Sequence, residues 1–258
     1  EVSGRVTDIR GGGIADVWVT FYDPGGDWNQ VRGYVPTDGN GDYRFAYMAG
    51  DHKALFYCNY PTNRDIVGSY VNEWYNDATT FGAAQTLTTQ AGQAQTGIDA
   101  VLGDAGMVTG VVTGPEGQLL SGAFAQAYDS SGKSYGSTWT LADGTYRLRG
   151  IVPSGDYAIR FRPPANTGYA VEWYNNKGWL GAADAVPVVI GQATPNINAQ
   201  LGYGGSISGQ VTAAGSGLPV ANVTVRARDE SNIGIFDAVT GADEQYTIYW
   251  VPAGNVKL

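Results

Sequence analysis

One short motif recurs three times along this chain and limits the folds open to it. Val2-Ser3-Gly4-Arg5-Val6-Thr7 returns as Val108-Thr109-Gly110-Val111-Val112-Thr113 and again as Ile207-Ser208-Gly209-Gln210-Val211-Thr212. Self-similarity at a long period marks tandem units, and missing it misassigns the whole architecture. Later segments keep the register. Gly41-Asp42-Tyr43-Arg44-Phe45 matches Asp143-Gly144-Thr145-Tyr146-Arg147-Leu148 and Gln245-Tyr246-Thr247-Ile248. Val71-Asn72-Glu73-Trp74-Tyr75-Asn76 matches Ala170-Val171-Glu172-Trp173-Tyr174-Asn175, and Gly97-Ile98-Asp99-Ala100-Val101-Leu102 matches Asn196-Ile197-Asn198-Ala199-Gln200-Leu201, each pair 99 residues apart. The repeats predict modules at 1–103, 107–202 and 206–258, the third being about half a module.

Within each repeat the apolar period is two, as in Val2/Gly4/Val6, Val17/Val19/Phe21 and Tyr43/Phe45/Tyr47, with turn residues between the runs. Alternation of this kind belongs to half-buried strands, and no window sustains the i, i+3, i+4, i+7 spacing of a helix. The expected fold is all-β, built from tandem seven-stranded antiparallel β-sandwich modules with Greek-key-like connections. Glycine supplies 38 of 258 residues, about twice average usage, and charged residues are 15% against a typical ~25%. Long charged helices do not fit such a composition. The formal charge of −9, with 15 Lys and Arg, leaves nothing to neutralise a phosphate backbone or to hold an anionic lipid surface. Nucleic acid and membrane insertion are therefore not expected. A lone cysteine, Cys58, allows no disulfide within the chain, and a lone histidine, His52, allows no His-rich zinc site.

The V-S/T-G-x-V-T opening, the strand Ile14-Ala15-Asp16-Val17-Trp18-Val19-Thr20 and the run Thr37-Asp38-Gly39-Asn40-Gly41-Asp42-Tyr43-Arg44-Phe45 together resemble the carboxypeptidase regulatory-like domain. The Glu-Trp-Tyr-Asn stretch with Ala91-Gly92-Gln93-Ala94-Gln95-Thr96-Gly97-Ile98-Asp99 resembles the version found in tandem on secreted bacterial proteins. The resemblance covers nearly the entire chain and implies a transthyretin-like (prealbumin-like) sandwich related to collagen-adhesin B-type repeats. It says little about role, since such modules serve as spacers, stalks, adhesive units and accessory domains. B-type repeats often carry a Lys–Asn isopeptide bond from the first strand. Here the first strands offer Arg5, Val111 and Gln210, and the lysines are Lys53, Lys133, Lys177 and Lys257, so no such crosslink is expected.

Several residues have a chemical reading beside a plain one. Asp38, Asn40 and Asp42 alternate like the first three ligands of a calcium loop. The signature then breaks, with Tyr43 in place of the sharp-turn glycine and Ala49 in place of the bidentate glutamate. A hairpin turn of Asp, Asn and Gly needs no ion. Glu73-Trp74-Tyr75 and Glu172-Trp173-Tyr174 combine a carboxylate with two aromatic faces, a set that can bind a sugar ring or can cover a sandwich edge. A glycosidase pair would need Glu73 with Asp65 or Asp77, yet the second repeat has Asn176 in place of Asp77. His52 is read as opening a strand near the surface, and Cys58 as a buried thiol within Leu55-Phe56-Tyr57-Cys58-Asn59-Tyr60. Trp18/Thr20/Tyr22 with Trp28, Tyr34 and Trp139 supply more aromatic surface than a small core needs, as at protein interfaces and glycan-binding faces alike.

A half-length third sandwich exposes apolar surface and open edges, which folded proteins avoid. Either the natural chain continues or strands from another copy complete the module, giving a head-to-tail filament. The sequence thus points to a non-enzymatic extracellular or cell-surface structural or adhesive protein. Its expected partners are itself, other surface proteins or a glycan, and no cofactor is implied beyond that calcium reading. The other function considered is an accessory carbohydrate-binding region of a larger secreted hydrolase.

Overall fold

A computed structural model describes residues 1–26, 30–46, 49–58, 69–165, 167–230 and 232–258. Trp28, Tyr47, Asn59, Tyr60 and Asp65 lie outside them. The chain is all-β, and its one helical turn among the described residues is a 3-10 turn at Leu180–Ala182. No described helix is long and apolar enough to cross a membrane. Two compact units are formed. The first gathers Glu1–Met107, Arg149–Pro153 and Val189–Gln192, and the second gathers Val108–Leu148, Ser154–Val188 and Ala193–Leu258.

The first repeat supplies β1 (Val2–Asp8), β2 (Trp18–Tyr22), β3 (Val31–Pro36), β4 (Asp42–Phe45), β5 (Gly50–Tyr57), β6 (Glu73–Trp74), β7 (Leu87–Thr89) and β8 (Ala100–Leu102). One sheet runs β4-β1-β8, the other β3-β2-β5-β6 with β7 also on β5. Alternation puts Val2 and Val6 of the first sheet against Val19, Phe21 and Phe56 of the second, each 0% exposed, in one core. The sandwich is not purely antiparallel, because β8 lies parallel to β1. A connection from the opposite sheet brings β8 in beside β1, and a strand returned by such a crossover is free to run parallel.

This closing strand explains the recurring glycine. A Cβ on Gly4 would stand 2.1 Å from the Ile98 carbonyl oxygen, and one on Gly110 would stand 2.1 Å from that of Ile197. Both distances are shorter than any tolerated contact, so only glycine lets the two backbones cross. The tyrosine of the G-D-Y segment holds the same carbonyl: the Tyr43 hydroxyl donates to Ile98 O at 2.6 Å, and the Tyr146 hydroxyl to Ile197 O at 2.7 Å.

The second repeat supplies β9 (Gly106–Thr113), β10 (Phe124–Tyr128), β11 (Ser134–Trp139), β12 (Thr145–Ile151), β13 (Gly155–Arg162), β14 (Glu172–Trp173), β15 (Val186–Val188), β16 (Ala193–Thr194) and β17 (Ala199–Gln200). Its sheets are β12-β9-β16, with β17 parallel on β9, and β11-β10-β13-β14, with β15 on β13. The third repeat supplies β18 (Gly205–Gln210), β19 (Thr224–Arg228), β20 (Gly234–Val239) and β21 (Gln245–Val251), paired as β18-β21 and β19-β20. Its small core of Ala227, Ile248 and Val251 includes Val171 from the second repeat.

Candidate functional site

The outer face of the β3-β2-β5-β6 sheet carries a groove of ≈ 540 Å³ walled by aromatic side chains. Residues directly opposed across antiparallel strands share a face. Trp18 opposes Tyr57, Thr20 opposes both Tyr34 and Leu55, and Leu55 opposes Trp74. Val31 and Tyr22 complete the lining. Trp18 and Tyr34 lie 4.6 Å apart by ring centroid, and Tyr34 is 56% exposed. At the far edge Trp74 is taken up in packing, 5.1 Å from Tyr22 and 5.2 Å edge-on to Phe81. The Lys53 ammonium sits 4.5 Å over the Phe81 ring and donates to the Phe81 carbonyl at 2.6 Å. An apolar floor with upright aromatic walls and hydroxyl-bearing Thr20, Tyr22, Tyr34 and Tyr57 suits a ligand with one apolar and one polar face.

The Glu-Trp-Tyr segments do not converge on one ligand. Strand alternation turns Trp74 outward with Leu55, and Glu73 inward with Phe56. Tyr75 packs on the core. The Glu73 carboxyl is pushed up to about 7, first by burial and then by the charge of Asp77. Glu172, opposite Phe161 and 8% exposed, is likewise pushed up to about 7 by burial, against the downward pull of the Asn176 N–H. Trp173 is 1% exposed, 5.0 Å from Tyr128 and with the Arg160 guanidinium 5.8 Å over its ring. It has no open face for stacking. Tyr174 continues this connection, its N–H donating to Ile159 O at 2.8 Å.

The second repeat fills its equivalent face differently. Where the first repeat has Leu55 and Tyr57, the second has Arg160 opposite Gln126 and Arg162 opposite Phe124. Arg160 donates to the Gly234 carbonyl of β20 at 2.6 Å, so the third repeat reaches over this face. Trp139 remains 45% exposed beside Phe124, ring centroids 4.5 Å apart.

Asp38, Asn40 and Asp42 form the turn between β3 and β4. The Asp38 Oδ1 accepts the N–H groups of Asn40 at 2.8 Å and Asp42 at 3.0 Å, and the Asn40 carbonyl accepts from Arg5 Nε at 3.0 Å. Among the described residues no three His, Cys, Asp or Glu side chains group as metal ligands. His52 is the third residue of β5, and it is 3% exposed rather than near the surface, because it faces Leu87 across the β5–β7 pair. Burial lowers its pKa. Cys58 is 1% exposed and its thiol is pushed up to about 12 by burial, so no thiolate is available as a nucleophile. Leu55, Tyr57 and Val31 were not singled out in the sequence as groove residues. The signal was there for the first two, which share the parity of a strand whose other face is core.

No family model matches the chain, and no curated protein matches it. Among solved structures, the TIE protein of Bacillus anthracis aligns over 96% of this chain and 43% of its own, at 12% identity and TM-score 0.30. A streptococcal ancillary pilin aligns over 78% of this chain and 61% of its own, at 16% identity and TM-score 0.33. A variant of the shaft pilin SpaA from Lactobacillus rhamnosus GG aligns over 79% and 98%, at 12% identity and TM-score 0.33. The chain therefore spans less than two thirds of the first two proteins it is similar to.

Proposed function

We propose that the chain is a non-enzymatic extracellular or cell-surface protein in which tandem sandwich modules, at 1–103, 107–202 and 206–258, form a stalk or filament with an adhesive face. The resemblance to carboxypeptidase regulatory-like and collagen-adhesin B-type repeats belongs to this reading. The observation that carries it is the aromatic groove of the first unit, whose walls Trp18, Tyr34 and Tyr57 are not needed to close the sandwich core. The ligand class is a glycan, whose ring C–H face stacks on Trp18 and Tyr34 while its hydroxyls meet Thr20 and the tyrosines. No reaction is assigned to the groove, since Glu73, the carboxyl raised to about 7, lies on the other side of the sheet. The same groove also serves the reading as an accessory carbohydrate-binding region. Screening the chain against a glycan array tests the ligand class. Trp18→Ala and Tyr34→Ala are expected to weaken any hit at least tenfold with little change in Tm; binding that survives both substitutions sinks the assignment.

A further inference from the structure

The second unit holds a pocket of ≈ 370 Å³ with arginine on three sides: Arg162 from β13, Arg226 and Arg228 from β19, and Gly234, Phe236 and Asp237 from β20. Arg160, on the same face of β13 as Arg162, donates to the Gly234 carbonyl at the pocket rim. Four of the 15 Lys and Arg of a chain of charge −9 thus meet at one place. Asp237 is the one acid among the described lining residues. Consecutive strand residues face opposite ways, so a pocket touched by both Phe236 and Asp237 runs along the edge of β20 away from β19. The outer face of β13 forms its other wall.

The guanidinium groups are not equally occupied. Arg226 forks onto Asp237, with Nε donating to Oδ1 at 3.0 Å and Nη2 to Oδ2 at 2.6 Å. Arg228 gives Nη1 to the Asn232 carbonyl at 2.9 Å and pairs with no carboxylate among the described residues. Arg162 lies 4.9 Å over the Phe124 ring, and its guanidinium meets no hydrogen-bond acceptor among the described residues. It is half-buried, and burial followed by the charge of Arg160 lowers its pKa, the direction of a cation short of counter-charge. A planar fork of N–H donors therefore lines a cavity without an anion of its own.

Two further observations specify the occupant. Asp237 seated on Arg226 shows that a carboxylate fits this pocket fork to fork, the geometry in which arginine recognises a planar anion. Beyond Arg162 the surface turns aromatic. Phe124 stands directly opposite both Arg162 and Trp139, and Trp139 is 45% exposed with its ring 4.5 Å from that of Phe124. An open indole beside an unpartnered cation suits a ring that has an apolar C–H face and carries a carboxylate.

We propose that this pocket binds the carboxylate of an acidic sugar, a hexuronate within an oligosaccharide, on Arg162 and Arg228, with a neighbouring sugar ring stacked on Trp139. An acidic peptide offers the same anion without the rigid C–H face for Trp139. The site lies in the second unit, separate from the aromatic groove, and stands whether or not that groove binds a glycan.

The full chain is titrated by calorimetry at about 50 mM salt, where screening is weak, with hexagalacturonate, its methyl ester, a sulfated dextran hexasaccharide and hexaglutamate. Hexagalacturonate is expected to bind saturably. The methyl ester keeps the rings and removes the charges, and is expected to bind at least about tenfold more weakly, the scale of one lost hydrogen bond to a charged group. Arg162→Gln and Arg228→Gln are each expected to weaken hexagalacturonate by about tenfold, and Trp139→Ala by about three- to tenfold. Asp237→Asn frees Arg226 from its internal carboxylate and is expected to tighten binding by about threefold, a gain that misfolding does not produce. The proposal is overturned by no saturation at about 1 mM hexagalacturonate, or by the ester or hexaglutamate binding as tightly. Tighter binding of the sulfated dextran, or an affinity that neither Arg162→Gln nor Asp237→Asn moves, overturns it as well.

Discussion

Glu172 is an acid on the core side of a sheet, and its cost depends on protonation. With the folded carboxyl at about 7 and the ordinary value at 4.5, the folded chain holds a proton between those limits that the unfolded chain has released. Stability therefore falls as pH rises across that window: the favourable contribution is complete below about 4.5 and gone above about 7. Glu73 adds the same trend in the first unit. Glu172→Gln removes the ionisation and keeps the shape. Thermal melts between pH 5 and pH 8 are expected to show a drop of several degrees in the parent chain and a visibly smaller drop in the variant. Parallel curves would mean that Glu172 ionises in the folded state without penalty. The neighbouring tryptophans show where residue-level reading ends. Trp74 and Trp173 sit in identical Glu-Trp-Tyr-Asn words, yet only Trp173 is fully buried, since Arg160 lies over its ring where the first repeat has Leu55. The word does not encode what the adjacent strand places above it.

At the scale of elements, alternation made most strands legible. Val2/Gly4/Val6, Val17/Val19/Phe21 and Tyr43/Phe45 all divide into inward and outward sets as their period requires. What period two does not specify is the partner. A strand pattern names the face that is buried and leaves open which neighbour supplies the hydrogen bonds and in which direction, so the parallel pairings of β8 with β1 and β17 with β9 were not foreseeable. The recurring glycine was a visible trace of them, because a glycine kept inside a strand marks close backbone approach. Gly110→Ala tests this, since its methyl would be driven into the Ile197 carbonyl. A loss of more than the ~1 kcal/mol typical of point substitutions is expected, measured by urea unfolding. Gly209→Ala, where the three nearest atoms all belong to the movable Tyr246 side chain, is expected to cost less than Gly110→Ala. Equal losses at the two positions would detach the motif from strand closure.

At the scale of the whole molecule, charge and stickiness oppose each other. The chain carries −9 at pH 7 with a pI near 4.5, while its aromatic groove offers neutral contact surface. Net charge keeps such chains apart through mutual repulsion, and that repulsion is long-ranged enough for salt to screen it. Lowering the pH toward 4.5 protonates carboxylates and removes the repulsion without touching Trp18 or Tyr34. Over the same range Glu73 and Glu172 become neutral, which strengthens the fold rather than opening it, so association there would be between folded chains. Sedimentation velocity is therefore expected to show the chain monodisperse at pH 7 in low salt, and larger species both near pH 4.5 and at pH 7 in 0.5 M salt. Circular dichroism should stay unchanged throughout. Larger species that appear only together with lost β signal would trace the association to unfolding and not to the aromatic groove.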